Sequence, residues 1–188
     1  MNVYDFDNTI YDGESVVDFY LFLLKKNPWL ISVLPKMLQM LLLYKMCRIS
    51  VSELMETAQR YASRLILYAR NSMVISQFWD ENQSKIKKFY LDNQKPDDVI
   101  LSASCSFLID EMCKRLGIKY VISSDVDLET GEIKRLCFRD RKPDIFKEYF
   151  PDSEIDGFYT DSMNDSPMFE MAKHVYIVKG NKIKELKK

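Results

Sequence analysis

Hydrophobic and polar positions along the chain fall into two textures. A short apolar entry, Asn2 to Phe6, predicts a first strand that runs straight into the acidic turn Asp5-Phe6-Asp7-Asn8-Thr9. From about Gly13 to Lys95 the apolar positions recur at helical spacing, with no strand alternation. Ser50-Val51-Ser52-Glu53 has capping-box spacing and opens a helix through about Leu67. A further helix is predicted over Ser72 to Tyr90. Beyond Lys95-Pro96-Asp97-Asp98 the texture changes to short apolar runs separated by helical stretches. Val99 to Leu101, Ile118 to Ile122, Ile155 to Thr160 and Val175 to Val178 read as strands. Phe107 to Leu116 reads as a helix stopped by Gly117, and Lys142-Pro143 as a helix start with proline at its first position. Asp165 to Ala172 reads as a helix, and Asp127 to Lys134 as a polar hairpin around Thr130-Gly131. Alternating strands and helices imply an α/β fold with a parallel sheet. The expected organisation is a core of residues 1–12 and 96–188, with an all-helical segment, 13–95, inserted after the first strand.

The apolar stretch Pro28 to Cys47 is broken by Pro35, Lys36 and Gln39, so it falls short of a membrane span. It reads instead as an amphipathic helix, with Ser32, Lys36 and Gln39 on one face and Leu30, Leu34, Met37, Leu38 and Leu41 on the other. Lys85, Lys87 and Lys88 read as a solvated helix face. At 188 residues the chain is long enough for one domain with an insertion. A net charge of -1 and the lack of a basic-aromatic stripe argue against nucleic acid as a partner. Five glycines leave no glycine-rich phosphate loop. Four cysteines, Cys47, Cys105, Cys113 and Cys137, have no paired spacing, so reduced thiols in a cytoplasmic protein are the expectation. Cys105 lacks a histidine base nearby. His174, the only histidine, is expected to be structural.

Open α/β sheets bind ligands beyond the carboxyl ends of their strands, and four polar clusters fall at those ends. They are Asp5 with Asp7, then Ser102-Ala103-Ser104, then Lys142, then Asp161-Ser162-Met163-Asn164-Asp165. The acidic half (Asp5, Asp7, Asp161, Asp165) suits a hard divalent cation, and Mg²⁺ in particular. The other half, Ser102 and Lys142, suits an oxyanion. Carboxylates, a cation, a hydroxyl and a lysine together suit a phosphoryl group, with one carboxylate attacking phosphorus and a second serving as acid and base.

The motifs DFDNT, VILSAS, RKPDIF and YTDSMNDSPM resemble the four motifs of the haloacid dehalogenase superfamily of phosphohydrolases, in order and spacing along the whole chain. The insertion point resembles that of the group with a helical C1 cap, which includes phosphoserine phosphatase-like enzymes. The resemblance implies a Rossmann-like core and a Mg²⁺-dependent phosphatase acting on a small phosphorylated substrate. Asp5 would be the nucleophile and Asp7 the acid/base, its backbone carbonyl also ligating the metal. Thr9 would shape the first loop. Ser102 would bind phosphate with Ala103, Ser104 and Asn164, and Lys142 would steady phosphate and nucleophile, with Arg139 or Arg141 as alternatives for that cation. Asp161 would ligate the metal and Asp165 would stand in its outer shell. Glu14 is either a substrate contact or a surface acid. The second motif departs from the Ser-Gly-Gly-Phe pattern of phosphoserine phosphatases, having Ala103-Ser104-Cys105 after Ser102. The apolar insert is similar to that of phosphatidylglycerophosphate phosphatases, a lipid alternative that would bring contact with a membrane surface. A receiver-type phosphoacceptor domain fits less well, because a second acid two residues on is placed to hydrolyse the adduct. A scaffolding pseudoenzyme fits less well too, since no motif is degenerate.

Overall fold

Among the described residues seven strands form one sheet, whose order sets every position that matters for the site. The computed structural model describes residues 1–33 and 70–186, with only 35, 39, 40, 42, 43, 46, 48–50, 53 and 66 between them. In chain order the described elements are β1 (Asn2–Tyr4), α1 (Ser15–Lys26), α2 (Ser72–Asn82), α3 (Lys88–Asn93), β2 (Val99–Cys105), α4 (Ser106–Arg115) and β3 (Tyr120–Val126). They continue with β4 (Ile133–Arg135), α5 (Lys142–Tyr149), β5 (Ile155–Thr160), a 3-10 helix (Met163–Met171), β6 (Ala172–Lys179) and β7 (Lys182–Glu185). The sheet order is β4-β3-β2-β1-β5-β6-β7. Strands β3, β2, β1, β5 and β6 are parallel, while β4 and β7 close the two edges antiparallel. The chain leaves β1 for β2 on one side and later returns to β5 on the other. The crevice beyond the carboxyl end of β1 is therefore the topological switch point.

Strand alternation sends residues to two cores. Val3, Val99, Leu101 and Phe158 face α5, joining Ile145 and Phe146. Tyr4 and Ile100 face the other way, into a cluster with Phe19 and Leu23 of α1, Phe78 and Trp79 of α2 and Leu108 and Met112 of α4. Phe19 and Leu23 are one turn apart, as are Ile75 and Trp79, so each helix buries one stripe. Trp79 Nε1 donates to the Leu108 carbonyl at 2.8 Å, and Arg115 reaches Asp80 and the Ser76 carbonyl, which fastens α2 to α4. Asn71 caps α2 by accepting from the Met73 amide at 3.0 Å.

Several predicted boundaries move for identifiable reasons. The helix expected over Ser72 to Tyr90 breaks at Gln83–Lys85. Ile86 then bridges Tyr11, and the Lys87 amide donates to the Ile10 carbonyl at 2.7 Å. Tertiary pairing overrides helix propensity there. Lys87 is accordingly 5% exposed rather than part of a solvated face. Ile118 belongs to the cap of α4, its amide donating to the Cys113 carbonyl at 2.9 Å across Gly117 at φ +69, so β3 starts at Tyr120. The segment expected as a helix from Asp165 is a 3-10 helix with Pro167 inside. The hairpin expected around Thr130-Gly131 is present, with the Asp127 carboxylate accepting from the Glu129 and Thr130 amides. The reciprocal Ser50–Glu53 bonds of the capping box form, while the helix predicted beyond them lies outside the described residues. Of the stretch Pro28 to Cys47, Pro28–Val33 is a 3-10 turn with Leu30 buried, and most of the remainder lies outside the described residues. Among the described residues no helix is long and apolar enough to cross a membrane.

Candidate active site

The acidic turn continues β1 by one ladder bond, the Asp5 amide donating to the Tyr159 carbonyl at 2.8 Å. The chain then folds back on itself: the Ile10 and Tyr11 amides both donate to the Phe6 carbonyl at 3.0 Å, and the Asn8 amide donates to the Gly13 carbonyl at 2.9 Å. Asn8 sits at φ +55, a conformation that asparagine tolerates better than most residues. Gly13 sits at φ +148, and a Cβ there would lie 2.7 Å from Asp18 Oδ2. Lys87 Nζ donates to the Asn8 carbonyl and lies 4.0 Å from Asp12 Oδ1. The second arm of the helical segment is thus tied to the turn that carries Asp5 and Asp7.

A cavity of about 180 Å³ opens at the switch point, lined by Asp5, Asp7, Glu14, Ala103, Phe138, Lys142, Asp161, Ser162, Asn164 and Asp165. The first and third predicted clusters therefore meet fully, the fourth contributes all but Met163, and the second contributes Ala103. Lys142, 2% exposed at the first turn of α5, puts Nζ 3.0 Å from Asp5 Oδ1 and 2.8 Å from Asp165 Oδ1. Arg139 and Arg141 do not take that place. Thr160 Oγ1 donates to Asp165 Oδ2 at 2.8 Å, so both oxygens of Asp165 are engaged within the protein. Thr9 Oγ1 stands 3.5 Å from Asp5 Oδ2. Asp7 accepts from the Ser15 amide at 2.7 Å and from Ser104 Oγ, which itself receives the Ser15 hydroxyl at 3.1 Å.

Ser102 is 1% exposed and absent from the cavity wall, its hydroxyl accepting from the Ser104 amide at 3.1 Å. The cause is that β2 does not stop at Leu101 but runs on to Cys105, with a register shift against β3 between Leu101 and Cys105. Glu14 lines the cavity and accepts from Asn8 Nδ2 at 2.6 Å. His174 is exposed on β6 beside Glu185, 2.7 Å away. Ser15, Thr160 and Phe138 join the site without having been singled out in the sequence. Thr160 directly precedes Asp161 and Ser15 opens α1, which are the only marks that set them apart.

Burial pushes the Asp5 carboxyl up to about 7 against the pull of Lys142, and Asp165 adds to the rise. Burial likewise raises Asp7, opposed by its bonds from Ser104 and Ser15, and raises Glu14, helped by Asp7. Burial works to lower the Lys142 ammonium, but Asp5 and Asp165 outweigh it and hold it above its ordinary value. Burial raises Cys105 to about 11, with Asp7 adding to the shift, so this thiol is protonated and no nucleophile at neutral pH.

Among the described residues no three His, Cys, Asp or Glu side chains form a ready metal cage. Asp165 and Asp7 are occupied by protein donors. Asp161 lines the cavity half-buried, its carboxylate accepting from its own backbone amide and forming no ion pair among the described residues. Burial raises its pKa. An all-oxygen donor set with Asp5 and an Asp161 carboxylate that pairs with no cation among the described residues fits Mg²⁺, which keeps several waters and needs only one or two carboxylates beside a substrate phosphate. It does not fit zinc or copper.

The family model of haloacid dehalogenase-like hydrolases matches residues 3–170. No curated protein matches the chain. Solved structures of similar fold include a Bordetella pertussis Tohama I protein of unknown function (16% identity, TM-score 0.69, 93% of this chain and 87% of that one). A phosphoserine phosphohydrolase-like protein from Francisella tularensis has 19% identity and a TM-score of 0.56 over 93% and 86% of the two chains. A phospho-aspartyl intermediate analogue of phosphoserine phosphatase has 14% identity and a TM-score of 0.56 over 92% and 83%. At these identities the likeness is one of fold.

Proposed function

The chain belongs to the haloacid dehalogenase-like hydrolases, and from that premise we propose that it is a Mg²⁺-dependent phosphomonoester hydrolase working through an aspartyl phosphate on Asp5. The observation that carries this reading is the pairing of Asp5 with Lys142 at 3.0 Å on the floor of a cavity that Asp7 and Asp161 also line. An Asp5 oxygen attacks phosphorus, and the bond from phosphorus to the ester oxygen breaks. Asp7 passes its proton to the departing oxygen. Asp7 then takes a proton from water, whose oxygen attacks phosphorus, releasing inorganic phosphate and restoring the Asp5 carboxylate. Lys142 holds Asp5 in one orientation, and its charge favours the added negative charge of the phosphoryl group.

The bonds from Ser104 and the Ser15 amide fix the direction in which Asp7 exchanges its proton. Ala103 and Asn164 border the phosphoryl oxygens. Ser102 and Ser104 shape that wall from beneath, by way of the Ser104 amide bond. Asp5, Asp161 and the Asp7 carbonyl would hold Mg²⁺, with Asp165 beyond them, and the ion would offset phosphate charge when bound. Segment 13–95 acts as a helical cap over a core of 1–12 and 96–188, and its ties through Lys87 and Glu14 link it to the catalytic turn. The test is turnover of p-nitrophenyl phosphate. Asp5→Asn should abolish it with the fold retained, and EDTA should silence the wild type until Mg²⁺ is returned. Undiminished turnover by Asp5→Asn would refute the assignment.

A further inference from the structure

A groove of about 490 Å³ adjoins the catalytic cavity, and the two share Asp161. Its walls are Met163, Ile177 and Leu186 together with the stems of Lys179, Lys182 and Lys184. The location follows from the sheet. Strand β6 is parallel to β5, so Lys179 at its end lies at the same edge as Asp161, and β7 turns back beside it. Lys179 is directly opposite Lys182, and Ile177 opposite Lys184. Residues two apart in a strand share a face, so one face of the hairpin presents Ile177 among three ammonium groups.

Like charges directly opposite each other cost stability. None of the three lysines has an ion-pair partner among the described residues, and all are exposed. Of the two acids that line the groove, Asp161 is shared with the catalytic cavity and Glu185 turns to His174 at 2.7 Å. Met163, 59% exposed, stands at the boundary between groove and cavity. A surface that places apolar side chains under unpaired cations is matched by an amphiphile with an anionic group.

Resting on the phosphatase reading, we propose that this groove is the leaving-group subsite, and that it takes a phosphomonoester whose alcohol half carries an apolar segment and a second anion. The phosphoryl group enters the catalytic cavity past Asp161. The apolar segment lies along Met163, Ile177 and Leu186, and the second anion meets Lys179, Lys182 and Lys184. These lysines are specificity residues and touch no reacting atom.

The experiment measures kcat/KM for ω-carboxyalkyl phosphates of two to ten carbons, with p-nitrophenyl phosphate as the small reference. For the wild type, kcat/KM should rise roughly two- to fourfold per methylene until the groove is filled. K179Q/K182Q/K184Q should lose roughly tenfold on the longest ester with the reference rate unchanged. Alkyl phosphates without the terminal carboxylate should be indifferent to the triple substitution. A profile flat in chain length, or an equal loss on the reference ester, overturns the proposal. Supplying the long ester as monomer and in phosphatidylcholine vesicles separates a soluble substrate from a membrane lipid. Hydrolysis in either form that the triple variant loses supports the subsite. If no ester is turned over, the phosphatase reading fails by itself. The groove is then judged by calorimetric binding of ω-carboxydecyl phosphonate, where a roughly tenfold weakening in the triple variant supports it and equal or absent binding overturns it.

Discussion

Replacing Lys142 with methionine is the sharpest structural perturbation available. Its ammonium is 2% exposed and sits 3.0 Å from Asp5 and 2.8 Å from Asp165. Methionine fills much of the same volume but leaves two carboxylates, both buried, with no cation between them. Removing one partner of a buried ion pair costs about 3–5 kcal/mol. With a urea dependence of about 2 kcal/mol per molar for a chain of this size, the unfolding midpoint should fall by about 1.5–2.5 M. The assay is urea unfolding by far-ultraviolet circular dichroism in EDTA, so that no metal compensates for the lost charge.

The pH dependence carries a definite sign. The folded Lys142 ammonium is held above its ordinary 10.5, so its stabilisation is complete below 10.5 and is lost only as the pH rises through that higher folded value. Without the pull of Lys142 the Asp5 carboxyl titrates above its wild-type value of about 7, so the gap between wild type and K142M should already narrow as the pH falls from 9 through 7, as the stranded Asp5 takes up a proton. Adding D165N to K142M should restore part of the midpoint, because one of the two orphaned charges is gone. A K142M midpoint within about 0.3 M of wild type, with an unchanged slope, would refute the reasoning and remove Lys142 as the charge that holds the site together.

Two further outcomes test the surroundings. Lys87→Met leaves the Asn8 carbonyl without its buried donor, which should cost about 1–3 kcal/mol and lower Tm by about 2–12 °C. Turnover of p-nitrophenyl phosphate should fall with it, and an unchanged Tm by calorimetry would show that the insert is not anchored there. Asp127, with its carboxyl lowered to about 2 by Lys134 and by the Thr130 and Glu129 amides, favours folding above 3.8 and loses that contribution as the pH falls toward 2. Its carbon-13 titration midpoint should rise toward 3.8 in Lys134→Gln, stopping short because the two amides remain; no movement would contradict the assigned partner.

What could be read in the sequence was what strand and loop chemistry make local. Asp5 and Asp7 follow an apolar run that pairs on both sides, and Asp161 follows another, so their meeting at one sheet edge is a consequence of parallel topology. Lys142 was legible because proline marks the start of its helix. Tertiary contacts decided the rest. Nothing in Gln83 to Lys88 breaks a helix, yet pairing with Ile10 and Tyr11 does. The extension of β2 past Leu101 turned Ser102 toward the Ser104 amide and left Ala103 at the cavity. The antiparallel edges β4 and β7 are short and polar, and β7 is fully exposed, so no apolar alternation announced them. The groove beside Asp161 was hidden for the same reason, since it depends on lysines paired across that edge.

The central claim is that phosphorus is bonded to Asp5 during turnover. Acid-quenching the enzyme with a phosphate ester, reducing with borohydride and mapping peptides by mass spectrometry tests it directly, because an aspartyl phosphate is reduced to homoserine. Homoserine at position 5, more abundant in Asp7→Asn because breakdown of the adduct is slowed, is the predicted result. Turnover with position 5 still aspartate, or with phosphate bonded to another side chain, would contradict the account.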